Sequence, residues 1–215
     1  MFTDRADAGR QLATRLEGLR GQNVIVLALP RGGVPVGAEV ARALDSPLDV
    51  IGVRKIGAPM QPELGVGAIA EGGVRVLDRS ILAQLRLDEA AIDQVETRER
   101  AELQRRLERY RGGRGMPELS GRTVVVVDDG LATGGTARAA CRAVRQAGPG
   151  TTILAVPVAA ARSLETLRDE ADEVVCVQAP EDFVAVGRWY EHFDQTTDDE
   201  VIALLDELGA QGGPA

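Results

Sequence analysis

The chain has 215 residues, 44% hydrophobic and 27% charged, enough for one large domain or a core with an appendage. Its 25 Lys and Arg against 33 Asp and Glu give a net charge of −8, which argues against broad electrostatic binding to nucleic acid. No apolar run approaches membrane-spanning length, the N-terminus lacks the apolar centre of a signal peptide, and Cys141 and Cys176 lack metal-ligand spacing; a cytoplasmic protein with two buried, unpaired thiols is expected.

Asp4 to Arg20 reads as an amphipathic helix, with Ala8, Leu12, Leu16 and Leu19 on one face. Asn23 to Leu29 is a buried strand that runs into Pro30-Arg31-Gly32-Gly33, and a helix follows from about Pro35 to Leu44. Leu48 to Val53 is predicted as the next strand, placing Arg54 and Lys55 at its carboxyl end, where α/β sheets bind ligands. Ile56 to Glu63 reads as a loop, and Leu64 to Ala70 with Val74 to Leu77 as a hairpin joined by Glu71-Gly72-Gly73. Ile81 to Arg111 is predicted helical, with a partial stripe of Ile81, Leu85, Ile92, Val95, Leu103 and Leu107. Its interleaved Arg and Glu residues suit a solvated face with local ion pairs, and the stripe leaves room for a dimer contact or a cover. Gly112 to Gly115 reads as a hinge.

Val124 to Val127 is a run of β-branched residues, as in a strand buried on both faces of a parallel sheet. It breaks into Asp128-Asp129, a loop of small residues from Gly130 to Gly135, and an alanine-rich helix from Thr136 to about Gly148. Free N–H groups at a helix start form a phosphate site, and Gly134 and Gly135 let the backbone close around an anion. Thr133 and Thr136 add hydroxyl donors. Asp128 and Asp129 would repel that phosphate; they suit sugar hydroxyls or the neighbourhood of a magnesium ion. Together these groups describe a site for ribose 5-phosphate. Thr151 to Val156 is a strand ended by Pro157, Ser163 to Glu170 a helix, and Val174 to Val177 the last strand. The alternation implies an α/β fold: an open, mainly parallel sheet with helices on both faces.

The stretch Val124 to Thr136 resembles the phosphoribosyl diphosphate (PRPP) signature of type I phosphoribosyltransferases: four apolar residues, two acids, then a Thr/Gly loop. The resemblance spans about Asn23 to Glu191. It implies that Gly130, Leu131, Ala132, Thr133, Gly134, Gly135 and Thr136 bind PRPP, Thr133 to Thr136 at its 5-phosphate, and that Asp128 and Asp129 hold the ribose hydroxyls and, through PRPP or water, Mg2+. Arg31, Gly32 and Gly33 match the family's pyrophosphate loop, and Arg54 and Lys55 the cation pair leading into a mobile loop. Asp128, Asp129, Lys55 and Arg31 are thus the implied catalytic set. The segment from Lys55 to Arg75 contains no further Lys or Arg, so a basic loop residue of some relatives is missing. Pro180 to Glu191 resembles the C-terminal hood of hypoxanthine-guanine-type enzymes, with Phe183 as the stacking aromatic and Glu191, after a one-residue shift, as the acid.

The implied organisation is one domain over 1–215, with a core at about 23–179, a flexible hairpin flap, a helical insertion at about 80–112 and a small hood at about 180–208. The implied reaction is magnesium-dependent transfer of ribose 5-phosphate from PRPP to a small-molecule nitrogen acceptor of the nucleobase class, in nucleotide salvage, with no nucleic-acid or membrane partner. The alternatives are a PRPP-sensing regulator without transfer and an enzyme acting on another sugar phosphate.

Overall fold

The computed structural model describes residues 1–209; residues 210–215 of the expected 1–215 domain lie outside the described residues. Asp4 caps the first helix, α1 (Arg5–Leu16), by accepting a hydrogen bond from the Asp7 N–H, and a 3-10 turn extends it through Leu19. The next elements are β1 (Val24–Ala28), α2 (Gly33–Leu44) and a short β2 (Leu48–Val50). Later in the chain come β6 (Thr123–Val127), α5 (Gly135–Gln146), β7 (Thr151–Val158), α6 (Ala161–Leu167), β8 (Glu173–Gln178) and α7 (Asp198–Leu208).

Five strands form a parallel sheet in the order β2-β1-β6-β7-β8. This is the open sheet with helices on both faces that the alternation predicts. Side chains alternate across it. Val24, Val26, Val125 and Val127 join Leu12, Leu16, Val40 and Leu44 on one side. Ile25, Leu27, Val124 and Val126 join Ala137, Ala140 and Val144 on the other. A β-branched run buried on both faces is what such a position requires. Strand order reverses between β1 and β6, and their register is level, from Val24 opposite Thr123 to Ala28 opposite Val127. The segments that leave their carboxyl ends therefore emerge side by side, in the crevice where such sheets bind ligands.

The region between β2 and β6 corrects the sequence reading. The parallel strand stops at Val50. The chain then enters a separate antiparallel sheet of β3 (Val53–Ala58), β4 (Gln61–Ala70) and β5 (Arg75–Leu77). Arg54 and Lys55 are thus in a hairpin strand, not at the end of a core strand. The predicted loop over Ile56 to Glu63 is mostly strand, turning at Pro59-Met60. Its prolines are tolerated because the ladder is irregular at Gly57, where any Cβ would overlap the Pro62 carbonyl. The predicted single helix is two: α3 (Arg79–Leu85), capped by Asp78, and α4 (Glu89–Arg111), capped by Asp88. Arg86 adopts a left-handed conformation between them. Along α4, Glu102 pairs with Arg105 and Arg106, and Glu96 with Arg100, as the charge pattern suggests.

β7 runs through Pro157 instead of ending there; its ladder to β6 stops at Ala155, so a residue without an N–H costs little at 157. The C-terminal segment departs from a simple hood, because α7 packs on α2, β2 and α4. Both cysteines are free; Cys141 is buried as expected and Cys176 only half-buried, and burial pushes the Cys141 thiol up to about 12 and Cys176 to about 11. Among the described residues no helix is long and apolar enough to cross a membrane.

Candidate functional site

The carboxyl ends of β1 and β6 build one contiguous surface. The Pro30–Arg31 peptide bond is cis, and the chain passes through Gly32 into α2 directly against the acid pair. A Cβ on Gly32 would overlap Asp129 Oδ2; one on Gly33 would lie 2.7 Å from the Val127 carbonyl and 2.9 Å from Asp128 Cα. Only glycine allows this approach. Gly33→Ala is accordingly expected to lower stability by about 1–3 kcal/mol in chemical denaturation. Gly135→Ala, whose Cβ would meet open space, should leave stability nearly unchanged.

Past the acids, the loop is held from below. Leu131 bridges to Ala159, the Ser163 hydroxyl donates to the Ala132 carbonyl at 2.5 Å, and Gly130 sits against Val186. Gly134 takes a left-handed conformation (φ 74°) and turns the chain into α5. It offers no side chain to cap that helix, so the first-turn N–H groups have no side-chain partner. Ala132 and Thr133 are exposed and Thr136 half-buried. A helix N-terminus so arranged binds anions through its backbone and its dipole.

Asp128 and Asp129 are part-buried and tied down in different ways. Asp128 Oδ1 accepts the Asp129 N–H at 2.8 Å. Asp129 Oδ2 accepts from Arg5 Nε at 2.9 Å, and the Asp129 carbonyl accepts the Tyr190 hydroxyl at 2.5 Å. Burial, then the neighbouring Asp129 charge, holds the Asp128 carboxyl well above the usual carboxylate range. Burial also raises Asp129, against the pull of Arg5. Among the described residues, Asp128 Oδ2 and Asp129 Oδ1 accept no hydrogen bond, so each acid keeps one oxygen for a ligand hydroxyl or a cation. Also among the described residues, no three His, Cys, Asp or Glu side chains cluster as a metal cage. The residues fit a magnesium ion that takes most of its ligands from a bound phosphate compound and water.

The other predicted site residues are distributed differently. Arg31 reaches toward α7, with Nη1 3.8 Å from Asp198 Oδ1. Asp198 is also held by Arg109 at 2.6 Å and by the Tyr110 hydroxyl at 2.6 Å. Arg54 is ion-paired with Glu99 of α4, and Lys55 Nζ donates to the Glu63 carbonyl at 2.5 Å. Arg54, Lys55 and Pro30 all line a cleft of about 630 Å3 between the hairpin and α4, so Lys55 adjoins the Arg31 loop from the hairpin side. Phe183 is half-buried with Phe2, Val158 and Tyr190, and Glu191 is exposed with its N–H bonded to the Phe2 carbonyl. Glu71 is locked to Arg111. Arg5, Tyr190 and Asp198 have no local sequence signal; Arg5 lies 124 positions from its partner Asp129.

Residues 3–192 match the phosphoribosyl transferase domain family. The chain belongs to that family. Two proteins of Mycobacterium tuberculosis, from strains H37Rv and CDC 1551 and provisionally named phosphoribosyl transferases, are each 54% identical to it over 206 residues, covering 96% of this chain. The chain spans about half (46%) of the length of these curated relatives. The crystal structure of TT1426 from Thermus thermophilus is 45% identical with a TM-score of 0.81, over 98% of this chain and 100% of that one. In this phosphoribosyl transferase domain the glycine loop after β1 and the acid pair after β6 are brought against each other by the level register of the two strands.

Proposed function

We propose that the domain binds PRPP with Mg2+ and transfers its ribose 5-phosphate to a nitrogen acceptor of the nucleobase class. The observation that carries this reading is the packing of Gly32-Gly33 against Asp128-Asp129 at the level ends of β1 and β6, beside an uncapped helix N-terminus. An anion at α5 and vicinal hydroxyls at the two acids match the two ends of a ribose 5-phosphate. The loop after β1 would cradle the pyrophosphate, with Arg31 turning from Asp198 and Lys55 from the Glu63 carbonyl to meet its charge. In the reaction the C1–O bond to pyrophosphate breaks, the oxygen keeping the electron pair. The acceptor nitrogen forms the new C1–N bond and loses its proton to water. The protein orients the sugar, stabilises the departing charge and excludes water, so no covalent nucleophile is required. Magnesium, when bound, supplies further positive charge to the pyrophosphate oxygens.

Isothermal titration with PRPP, with and without Mg2+, tests the ligand. Magnesium-dependent binding is expected, and its absence under both conditions overturns the proposal. Pyrophosphate release across a panel of purine and pyrimidine bases then tests transfer. A second reading, a PRPP-responsive regulator, is favoured by the cation-free segment 56–74 and the engagement of Arg54 by Glu99. PRPP binding without pyrophosphate release from any base would support it.

A further inference from the structure

Arg5 is the first residue of α1, and the segment before it is pinned to the C-terminal turn. The Phe2 N–H donates to the Trp189 carbonyl at 2.7 Å, and the Phe2 and Thr3 carbonyls accept from Glu191 and His192, each at 2.9 Å. The Phe2 and Tyr190 rings pack at 5.4 Å and the Tyr190 and Phe193 rings at 5.0 Å. On this base the Arg5 guanidinium makes three contacts. Nε donates to Asp129 Oδ2 at 2.9 Å, Nη1 donates to the Asp194 carbonyl at 2.6 Å, and the group lies 3.9 Å from the centre of the Phe193 ring. The Arg5 and Asp129 side chains are only 12% and 15% exposed, so solvent screens the pair poorly.

We infer that Arg5 is a positioning residue for Asp129. By occupying Oδ2 it leaves Oδ1 as the single oxygen offered to a ribose hydroxyl, and it links that oxygen's placement to the turn that carries Phe193 and Tyr190. This inference rests on the PRPP reading of the site. The guanidinium suits the task because its planar fork, seated on an aromatic face and fixed at a second point by a carbonyl, has little freedom left. The Tyr190 hydroxyl on the Asp129 carbonyl fixes the backbone of the same residue. The N-terminal helix and the C-terminal turn thus meet at one acid.

The test compares wild type, Arg5→Gln, Arg5→Lys, Asp129→Asn and the Arg5→Gln/Asp129→Asn double variant by titration with PRPP and with inorganic phosphate, which probes the α5 loop alone. Arg5→Gln should weaken PRPP binding about tenfold, with phosphate binding unchanged. Arg5→Lys should recover part of the loss, and the double variant should bind PRPP no worse than Asp129→Asn. Phe193→Ala should weaken PRPP by a smaller factor in the same sense. Equal losses for both ligands, or additive losses in the double variant, overturn the assignment. Thermal denaturation of the wild type, the two single variants and the double variant reads the ion pair without ligand. Coupling there with PRPP binding intact in Arg5→Gln overturns the positioning role and leaves the proposed function standing. Failure of the wild type to bind PRPP overturns both.

Discussion

Arg111→Met is expected to destabilise the protein by about 3–5 kcal/mol, enough to remove most of the stability of an ordinary domain. Arg111 is 4% exposed and spends its whole guanidinium on internal partners: Nε on Asp49 at 3.0 Å, Nη1 on Glu71 at 2.6 Å, and Nη2 on the Val50 carbonyl at 2.6 Å. Glu71 also accepts the Gly52 N–H at 2.7 Å. One cation from the end of α4 therefore joins β2, at the edge of the parallel sheet, to the turn that closes β4. Methionine fills similar space but leaves two part-buried carboxylates without a counter-charge, and that uncompensated charge dominates the loss. Urea denaturation checks the magnitude. Adding Glu71→Gln to Arg111→Met should recover part of the stability by removing one stranded charge; a double variant less stable than Arg111→Met would contradict this account.

Asp128→Asn is expected to weaken PRPP binding by about tenfold to a hundredfold while leaving the melting temperature unchanged or raised. With its Oδ1 on the Asp129 N–H, asparagine turns an NH2 toward the sugar hydroxyl where the acid offers an acceptor, a loss of about 1.5–3 kcal/mol. Stability moves the other way. A carboxyl raised by burial and by Asp129 binds its proton more tightly in the folded than in the unfolded state. Its contribution to stability is therefore full below the unfolded value and falls as pH rises toward the folded one. Asparagine removes that fall, and its Oδ1 can still accept the Asp129 N–H. Titration calorimetry with PRPP and a thermal melt at neutral pH read the two effects separately. A variant that melts early and binds PRPP normally would mark Asp128 as structural.

Much of the architecture was legible in the residues. The Val124–Val127 run, the alanine-rich α5 and the glycine loops specify parallel strands and helix starts through local periodicity and backbone freedom, which act over a few residues. The same locality explains the errors. Ile56 to Glu63 has strand-compatible backbone, but its prolines read as a loop until Gly57 against the Pro62 carbonyl shows how the ladder absorbs them. The sequence pattern places Arg54 and Lys55 at the end of a core strand because Ile51 to Val53 suit a strand as well as Leu48 to Val50 do; their partners Glu99 and the Glu63 carbonyl depend on where α4 and the hairpin lie.

The sequence by itself determined the alternating strands and helices of the parallel sheet, the acid pair at the tip of a buried strand and the glycines that let a loop approach it. Those features are written in side-chain shape, hydrophobic period and φ freedom, all properties of neighbouring residues. Only the tertiary structure decided that β1 and β6 lie side by side with level ends. It also decided that Arg5 reaches Asp129 and that Arg111 is buried between Asp49 and Glu71. Ion pairs across such separations are set by how whole elements pack, and an arginine that will be buried has the same local pattern as one that stays in water.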